Sequence, residues 1–466
     1  MNPAARPVIT VVGGGFSGTA LALQLRKQPA LAGAEIHLVE PRAMPGPGLA
    51  YTARRPEYLL NVRPGALSLY PDAPQHFANW LRYQPESEGG VPEFAARTTY
   101  GRYLYEELTK VLTGRATGPG TLRWHQTTAV VAPLRSDGRR ALLLADGTTL
   151  LSDYVVLALG NFPPPPPAGP DHRYLHHPGY HADPWAAGNL RRIGPDEDVL
   201  LIGSGLTAVD VLLALRQDGH RAPVTVVARH GRWPQAHGPA TATYPNFYPE
   251  LAAETTVTGV LAVFKRHLRM AAAQGINWRP VLDSLRPDLG RIWAAWPLRE
   301  QRRFLRHLAG LWAVTRHRSP PGNAAAIEAL TEAGLVQLHV GTVREIVPDG
   351  NMLRVRVRPH DAPGNWHVAQ HVVCCAGPLL DYGRIADPLV MSLRDAGHLS
   401  ADSLRLGLQT DAHGALRGAD GVVSTTLFTL GPSRRPAYFE STAVPELRLQ
   451  AAELAAELAR RVCAKD

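Results

Sequence analysis

The chain has 466 residues, of which 45% are hydrophobic and 19% charged, and a formal net charge of +9. That length exceeds one ordinary core, so two or three domains are expected, and the composition excludes a disordered protein. The positive charge is carried by scattered arginines, lysine occurring only at Lys27, Lys110, Lys265 and Lys465, and without a basic block interleaved with aromatics no nucleic-acid partner is expected.

Cys374, Cys375 and Cys463 are the only cysteines. They cannot build a disulfide framework, which points to a reducing, cytoplasmic compartment. The N-terminus enters an apolar strand without a cleavable leader, and no run is long and apolar enough to span a membrane.

Residues 8–12, VITVV, read as a buried parallel strand. Gly13-Gly14-Gly15-Phe16-Ser17-Gly18 follows and opens a helix with apolar spacing. This is GxGxxG between strand and helix, the context that gives the motif force. Gly13 permits the tight turn, Gly15 lets the backbone approach a pyrophosphate, and Gly18 lets helix and strand pack closely. The next strand, Glu35 to Val39, ends at Glu40, about 20 residues on, where a carboxylate accepts hydrogen bonds from a ribose.

A second turn stands at Gly203-Ser204-Gly205-Leu206-Thr207-Ala208, after the strand VLLI and before a helix. Alanine is acceptable in the third position, which only has to be small. The following strand, Val224 to Val227, leads to Ala228-Arg229-His230, so a basic pair replaces the acid. A carboxylate there would repel a 2′-phosphate, whereas Arg229 can grip one through a bidentate fork. Glu40 therefore suits the ribose of FAD, and Arg229 with His230 suits NADPH.

Other features repeat coarsely. Asp153 to Gly160 is an apolar strand ending in glycine, and His371 to Gly377 reads the same way. The segments Leu122–Pro133 and Arg140–Leu151 read as a β-meander in the first domain, with Val343–Val357 as its counterpart in the second. Pro163 to Pro167 should form a stiff interdomain link. Residues 250–318 break the α/β rhythm with an Arg-, Trp- and Leu-rich helical insertion, a natural lid or substrate-shaping element. Ser424 to Gly431 makes another strand-to-glycine turn, and Val444 to Arg461 is an amphipathic helix that would complete the first fold.

The predicted architecture is α/β: two Rossmann-like dinucleotide-binding domains with a helical insertion. The FAD domain takes residues 1–165 and 378–466, the NADPH domain 190–250 and 321–377, and the insertion 251–320.

With Gly48-Leu49-Ala50-Tyr51, Leu59-Leu60-Asn61-Val62, Tyr100-Gly101-Arg102-Tyr103-Leu104 and Glu440-Ser441-Thr442-Ala443-Val444-Pro445-Glu446 added to the two turns, the chain resembles a bacterial family of FAD/NAD(P)-binding oxidoreductases. More distantly it is similar to the class B flavin monooxygenases, including the amino-acid N-hydroxylases. That resemblance implies contacts to the cofactors from Val130, Gly160, Gly377, Gly431 and Ala443. It also places Asn61, followed by Pro71-Asp72, beside the flavin. His177 to Trp185 stands where those enzymes carry an FxGxxxHxxxW/Y fingerprint and does not match it.

The resemblance implies that NADPH reduces FAD and that O2 adds at C4a to give a hydroperoxide, which hydroxylates a small amine or amino acid. A flavin dehydrogenase or oxidase, or a non-catalytic dinucleotide-binding protein, are the alternatives. Arg306, His307, Arg316 and His317 could bind an anionic substrate. His176, His177 and His181 lack the companions of a metal site, and none is expected. Cys374 and Cys375, adjacent in a strand, should point to opposite faces. The absence of a closely spaced dithiol excludes a disulfide reductase.

Overall fold

The computed structural model describes residues 6–52, 55–87, 90–115, 120–239, 243–359 and 362–464. Its frame is a pair of sheets, each opening onto a glycine turn. The first sheet has six strands in the order Ala415–Arg417, Val423–Thr429, Tyr154–Leu157, Val8–Val12, Glu35–Val39 and Thr121–His125. All neighbours are parallel except the edge pair Ala415–Arg417 and Val423–Thr429.

Alternation across these strands builds two core layers. Ile9, Val11, Ile36 and Leu38 face the helices Phe16–Lys27, Arg97–Leu112 and Val444–Cys463. Val12, Val39, Val155 and Leu157 face the other way, onto the meander Ala129–Ser152 and the helix Pro388–Asp395. Both faces are covered, which is why the strands read as continuous apolar runs rather than alternating ones.

The second sheet is wholly parallel, in the order Val336–Val340, Val224–Ala228, Val199–Ile202, His371–Cys374 and Tyr180–His181. The helix Leu206–Gln217 covers one face and the meander Thr342–Ala369 the other. Cys374 belongs to one of these core layers and Cys375 to the other, so the adjacent thiols do point to opposite faces.

One boundary differs from the sequence reading. Leu122 to His125 is not the start of the meander; Thr121–His125 pairs in parallel with Glu35–Val39 and extends the main sheet. The meander begins only at Ala129. Both are short segments, and the partner strand is what distinguishes them.

Residues 248–316 are helical throughout their main elements, from Tyr248–Leu251 to Ala309–Arg316. They form a core of their own around Val263, Trp293, Trp296 and Phe304, into which Phe439 from the C-terminal part inserts. Among the described residues no helix is long and apolar enough to cross a membrane.

Candidate cofactor cleft and its surroundings

The first glycine turn is shaped by what surrounds it. Gly13 adopts φ +103°, and a Cβ there would lie 2.3 Å from the Ala158 carbonyl oxygen. A Cβ on Gly18 would lie 1.8 Å from the Gly13 oxygen, so the helix Phe16–Lys27 crosses its own entry turn at the closest possible distance. Gly14 is pressed against the Glu40 side chain, where a Cβ would meet the Glu40 Cβ at 2.6 Å. Gly15 is the residue before the helix, and its turn aims unpaired N–H groups and the positive end of the helix dipole outward.

Glu40 ends its strand 3% exposed. Its Oε2 accepts from the Gly14 N–H at 2.8 Å, and its Oε1 accepts from the Arg42 N–H at 3.0 Å and the Arg42 guanidinium at 3.1 Å. A carboxylate has about four acceptor positions, so this one is held in place and still has capacity for a ribose hydroxyl.

The second turn repeats the plan more loosely. Gly203 has φ +110° and would place a Cβ 2.8 Å from the Cys375 oxygen. Gly205 precedes the helix, and the third position tolerates the fully buried methyl of Ala208.

Both turns open on one cleft of about 410 Å³. Of the residues singled out in the sequence, Gly13, Gly15, Phe16, Ser17, Glu40, Gly160 and Thr207 line it. Gly203, Gly205 and Leu206 belong to the same second turn, and Gly377 lies between two lining residues, Ala376 and Pro378. Gly431 has φ +88° and would place a Cβ 2.9 Å from Ser17 Oγ. That contact seats the last strand on the first turn and brings the helix starting after Ala443 to the cleft through Thr442 and Leu447. Val130 lies in the meander strand Ala129–Val131 and is not among the lining residues.

Several lining groups were not singled out as site residues. Arg42 and the segment Gly48–Tyr51 carry signals that were present: a basic residue just past the strand-end acid, and a conspicuous GLAY run. Gly48 stacks on the turn itself, where its Cβ would come within 2.8 Å of Gly15 Cα. Arg97 and Trp185 also line the cleft. The Arg97 guanidinium sits over the Trp185 ring at 5.1 Å and bonds Asp210 at 2.7 Å. It thereby joins the start of one domain's helix to the middle of the other's. Nothing local in the sequence announces that pair.

Asn61 lies in the seam between the two halves. Its carbonyl accepts from His237 Nε2 at 2.9 Å, and two residues on, Arg63 donates to the Gly238 carbonyl at 2.8 Å. The Asn61 side-chain amide makes no hydrogen bond among the described residues. Arg229 and His230 follow the strand Val224–Ala228 and are exposed, with His230 lying against Gly310 of the insertion.

The four residues expected at the substrate separate into two pairs. Arg306 and His307 are exposed at the end of the helix Leu298–His307 and line neither large cavity. Arg316 and His317 point inward. Glu446, in the first turn of the last helix, takes 2.7 and 3.0 Å bonds from Arg286 and a 3.3 Å bond from Arg316. Burial alone would raise the Glu446 carboxyl; the two arginines outweigh it and hold it low. His317 stands 4.0 Å from Glu440, with about a third of its side chain exposed. Burial lowers its imidazole more than Glu440 raises it.

Cys374 lines the cleft, yet neither cysteine can serve as a dithiol. Burial pushes both thiols up, Cys375 well above the ordinary range. Among the described residues no group of three or more His, Cys, Asp or Glu could hold a metal. His181 instead bonds Asn189 at 2.8 Å and His371 at 3.0 Å.

Residues 10–162 match a protein family described as FAD-NAD(P)-binding. No curated protein matches the sequence. Among solved structures, the chain is similar to the L-lysine 6-monooxygenase of Pseudomonas syringae at 16% identity, with 98% of this chain and 99% of that one covered and a TM-score of 0.65. It is similar to the FAD-bound cadaverine monooxygenase of Erwinia amylovora at 13% identity, covering 98% and 94%, with a TM-score of 0.66. The thioredoxin reductase of Lactococcus lactis also shares the fold, at 13% identity, 98% and 99% coverage and a TM-score of 0.51. These likenesses show a fold shared with flavin-dependent monooxygenases and a thioredoxin reductase, within which residues 10–162 match the FAD-NAD(P)-binding family.

Proposed function

We propose that the protein is an NADPH-dependent FAD monooxygenase that hydroxylates the nitrogen of an amine. The observation that carries this reading is the cleft reached by both glycine turns, with the buried strand-end acid Glu40 in its lining at one, while the exposed pair Arg229 and His230 follows the strand after the other. FAD fits the first turn: the missing side chains let Gly13 pack on the Ala158 carbonyl and Gly15 pack on Gly48, a turn tight enough for its backbone N–H groups to approach a pyrophosphate, and Glu40 is oriented for the ribose. NADPH fits the second, with Arg229 and His230 at the 2′-phosphate. The absence of a usable dithiol separates this chain from reductases of the same fold.

FAD, once reduced by NADPH, supplies the oxygen chemistry. The chain's own residues orient the two nucleotides, exclude water and present a hydrogen bond at the reacting edge, for which the unengaged Asn61 amide is our candidate. The few cysteines fit a reducing cytoplasm.

The test is product stoichiometry. FAD-loaded protein, NADPH and a panel of amines should yield hydroxylated amine in near-equal amount to NADPH consumed. Quantitative hydrogen peroxide with every amine would replace this reading with that of a simple oxidase, and a flavin that neither nicotinamide reduces would remove catalysis altogether.

Two expected results follow from residue roles. Asn61→Ala should lower product formation by about 10²-fold, the scale for losing one positioned donor, while flavin reduction stays fast and peroxide replaces product. Arg229→Ala should raise the KM for NADPH by about 10- to 100-fold, since a charged hydrogen bond is worth about 1.5–3 kcal/mol. The KM for NADH should barely move; an equal rise for both would show that Arg229 does not read the 2′-phosphate.

A further inference from the structure

A second cavity is larger than the cofactor cleft. It is a chamber of about 730 Å³ inside the helical insertion, walled by four tryptophans (Trp278, Trp293, Trp296 and Trp312) together with phenylalanine, leucine, isoleucine and valine side chains. Arg232, Gln235 and Thr315 are the only residues in its lining with charged or non-aromatic polar side chains. Arg232 and Gln235 are exposed, as is Leu311, which places the mouth on that side. Among the described residues nothing in the wall offers a carboxylate to an ammonium group, and the arginine–histidine run expected at the substrate is either on the outer surface or already engaged with Glu446 and Glu440.

One chain segment links the chamber to the cofactor cleft. Phe439 lines the chamber and Thr442, three residues on, lines the cleft. Phe439 is held at φ +58°, a backbone state side chains rarely adopt, with its ring stacked on Trp293 at 4.7 Å. Trp312 lines the chamber and donates to Glu440 at 2.6 Å. The segment from Phe439 to Thr442 thus reaches from one space to the other, with its Phe439 end fixed by aromatic packing.

We infer that this chamber receives the substrate, and that the substrate is an amine carried on a large apolar body, alkyl or aromatic, rather than a free α-amino acid. The amine rests on the function proposed above; the apolar body rests on the chamber alone. A volume of this size suits a drug-sized ligand, and its apolar wall cannot compensate the desolvation of an amino acid's two charges. Even with its carboxylate at Arg232 by the mouth, a free amino acid would have to leave its ammonium unpaired there. An alkyl chain leaves none.

The test separates the two claims. Quenching of tryptophan fluorescence in the oxidised FAD-loaded protein should report saturable binding of decylamine and of decanol, and no binding of L-ornithine or L-lysine at 100-fold higher concentration. Leu261→Trp and Val260→Phe, each filling the chamber and each compared at equal flavin content and with its own Tm, should weaken alkyl binding by at least tenfold. Saturable binding of the amino acids, or alkyl binding indifferent to both fillers, would overturn the inference. Decylamine that binds but is never hydroxylated would sink the monooxygenase reading and leave the chamber's assignment standing. An amino acid hydroxylated as fast in the filled variants as in the wild type would do the reverse.

Discussion

Replacing Gly18 by alanine is expected to give a folded protein that purifies without flavin. The added methyl carbon would sit 1.8 Å from the Gly13 carbonyl oxygen and 3.0 Å from its carbon. Both are backbone atoms and cannot swing aside as a side-chain tip would. The turn cannot retreat either, because Gly13 is itself wedged against the Ala158 carbonyl with φ +103°. The helix must therefore lift off the strand by about an ångström, and the N–H groups that would wrap a pyrophosphate move with it.

The second turn supplies the control. Ala208 occupies the matching place with a fully buried methyl, so Ala208→Gly should cost about 1 kcal/mol of helix stability and leave both nucleotide sites working. The measurement is the flavin absorbance per mole of purified chain. Wild-type flavin content in Gly18→Ala would show that the close helix–turn contact does not govern cofactor binding.

The contrast between these two turns shows what could be read from sequence and what could not. Strand, glycine turn, helix and strand-end acid are local in the chain, so their geometry follows from a few dozen residues, and both nucleotide folds were legible. The buried runs DYVVLALG and HVVCCAG were equally plain, because a strand covered on both faces leaves no polar interruptions. Leu122 to His125 failed for the opposite reason. A short apolar run carries no mark of which strand it will pair with, and here Glu35–Val39 claimed it.

The insertion illustrates a further limit. Its helices were evident from composition, but whether Arg306 and Trp312 faced in or out depended on how the helices packed against each other and against Phe439. The arginines and histidines attracted attention as chemistry, while the tryptophans beside them made the chamber. Gly48 to Tyr51 was visible as a motif yet had no assigned role until the fold laid it across the first turn.

The second large effect is expected at Arg97, and it should depend on pH. Arg97 reaches from the start of its helix to Asp210, whose side chain is 4% exposed. Burial raises the Asp210 carboxyl to about 6, against the lowering influence of Arg97. Tyr58 and Cys375 are the other titratable groups close enough to feel Asp210, and both are neutral near pH 7 because burial pushes them up. The folded protein thus binds a proton at Asp210 more tightly than the unfolded chain does. The contribution of Asp210 to stability falls as the pH rises from about 4 to about 6, the window between the two values, and is level above it.

Arg97→Met removes the one compensating charge. The Asp210 carboxyl should then rise further, so that the fall in stability continues through neutrality. At pH 5 the carboxyl is largely protonated in both folded proteins, and the two should differ little beyond lost packing on Trp185. At pH 8 the variant holds a buried charge without a partner, which costs about 3–5 kcal/mol. Thermal unfolding at the two pH values measures this directly, with Arg97→Met/Asp210→Asn as the check, since removing the charge should recover most of the deficit at pH 8. A deficit of equal size at both pH values, untouched by the second substitution, would mean that Arg97 joins the two nucleotide folds by packing rather than by charge.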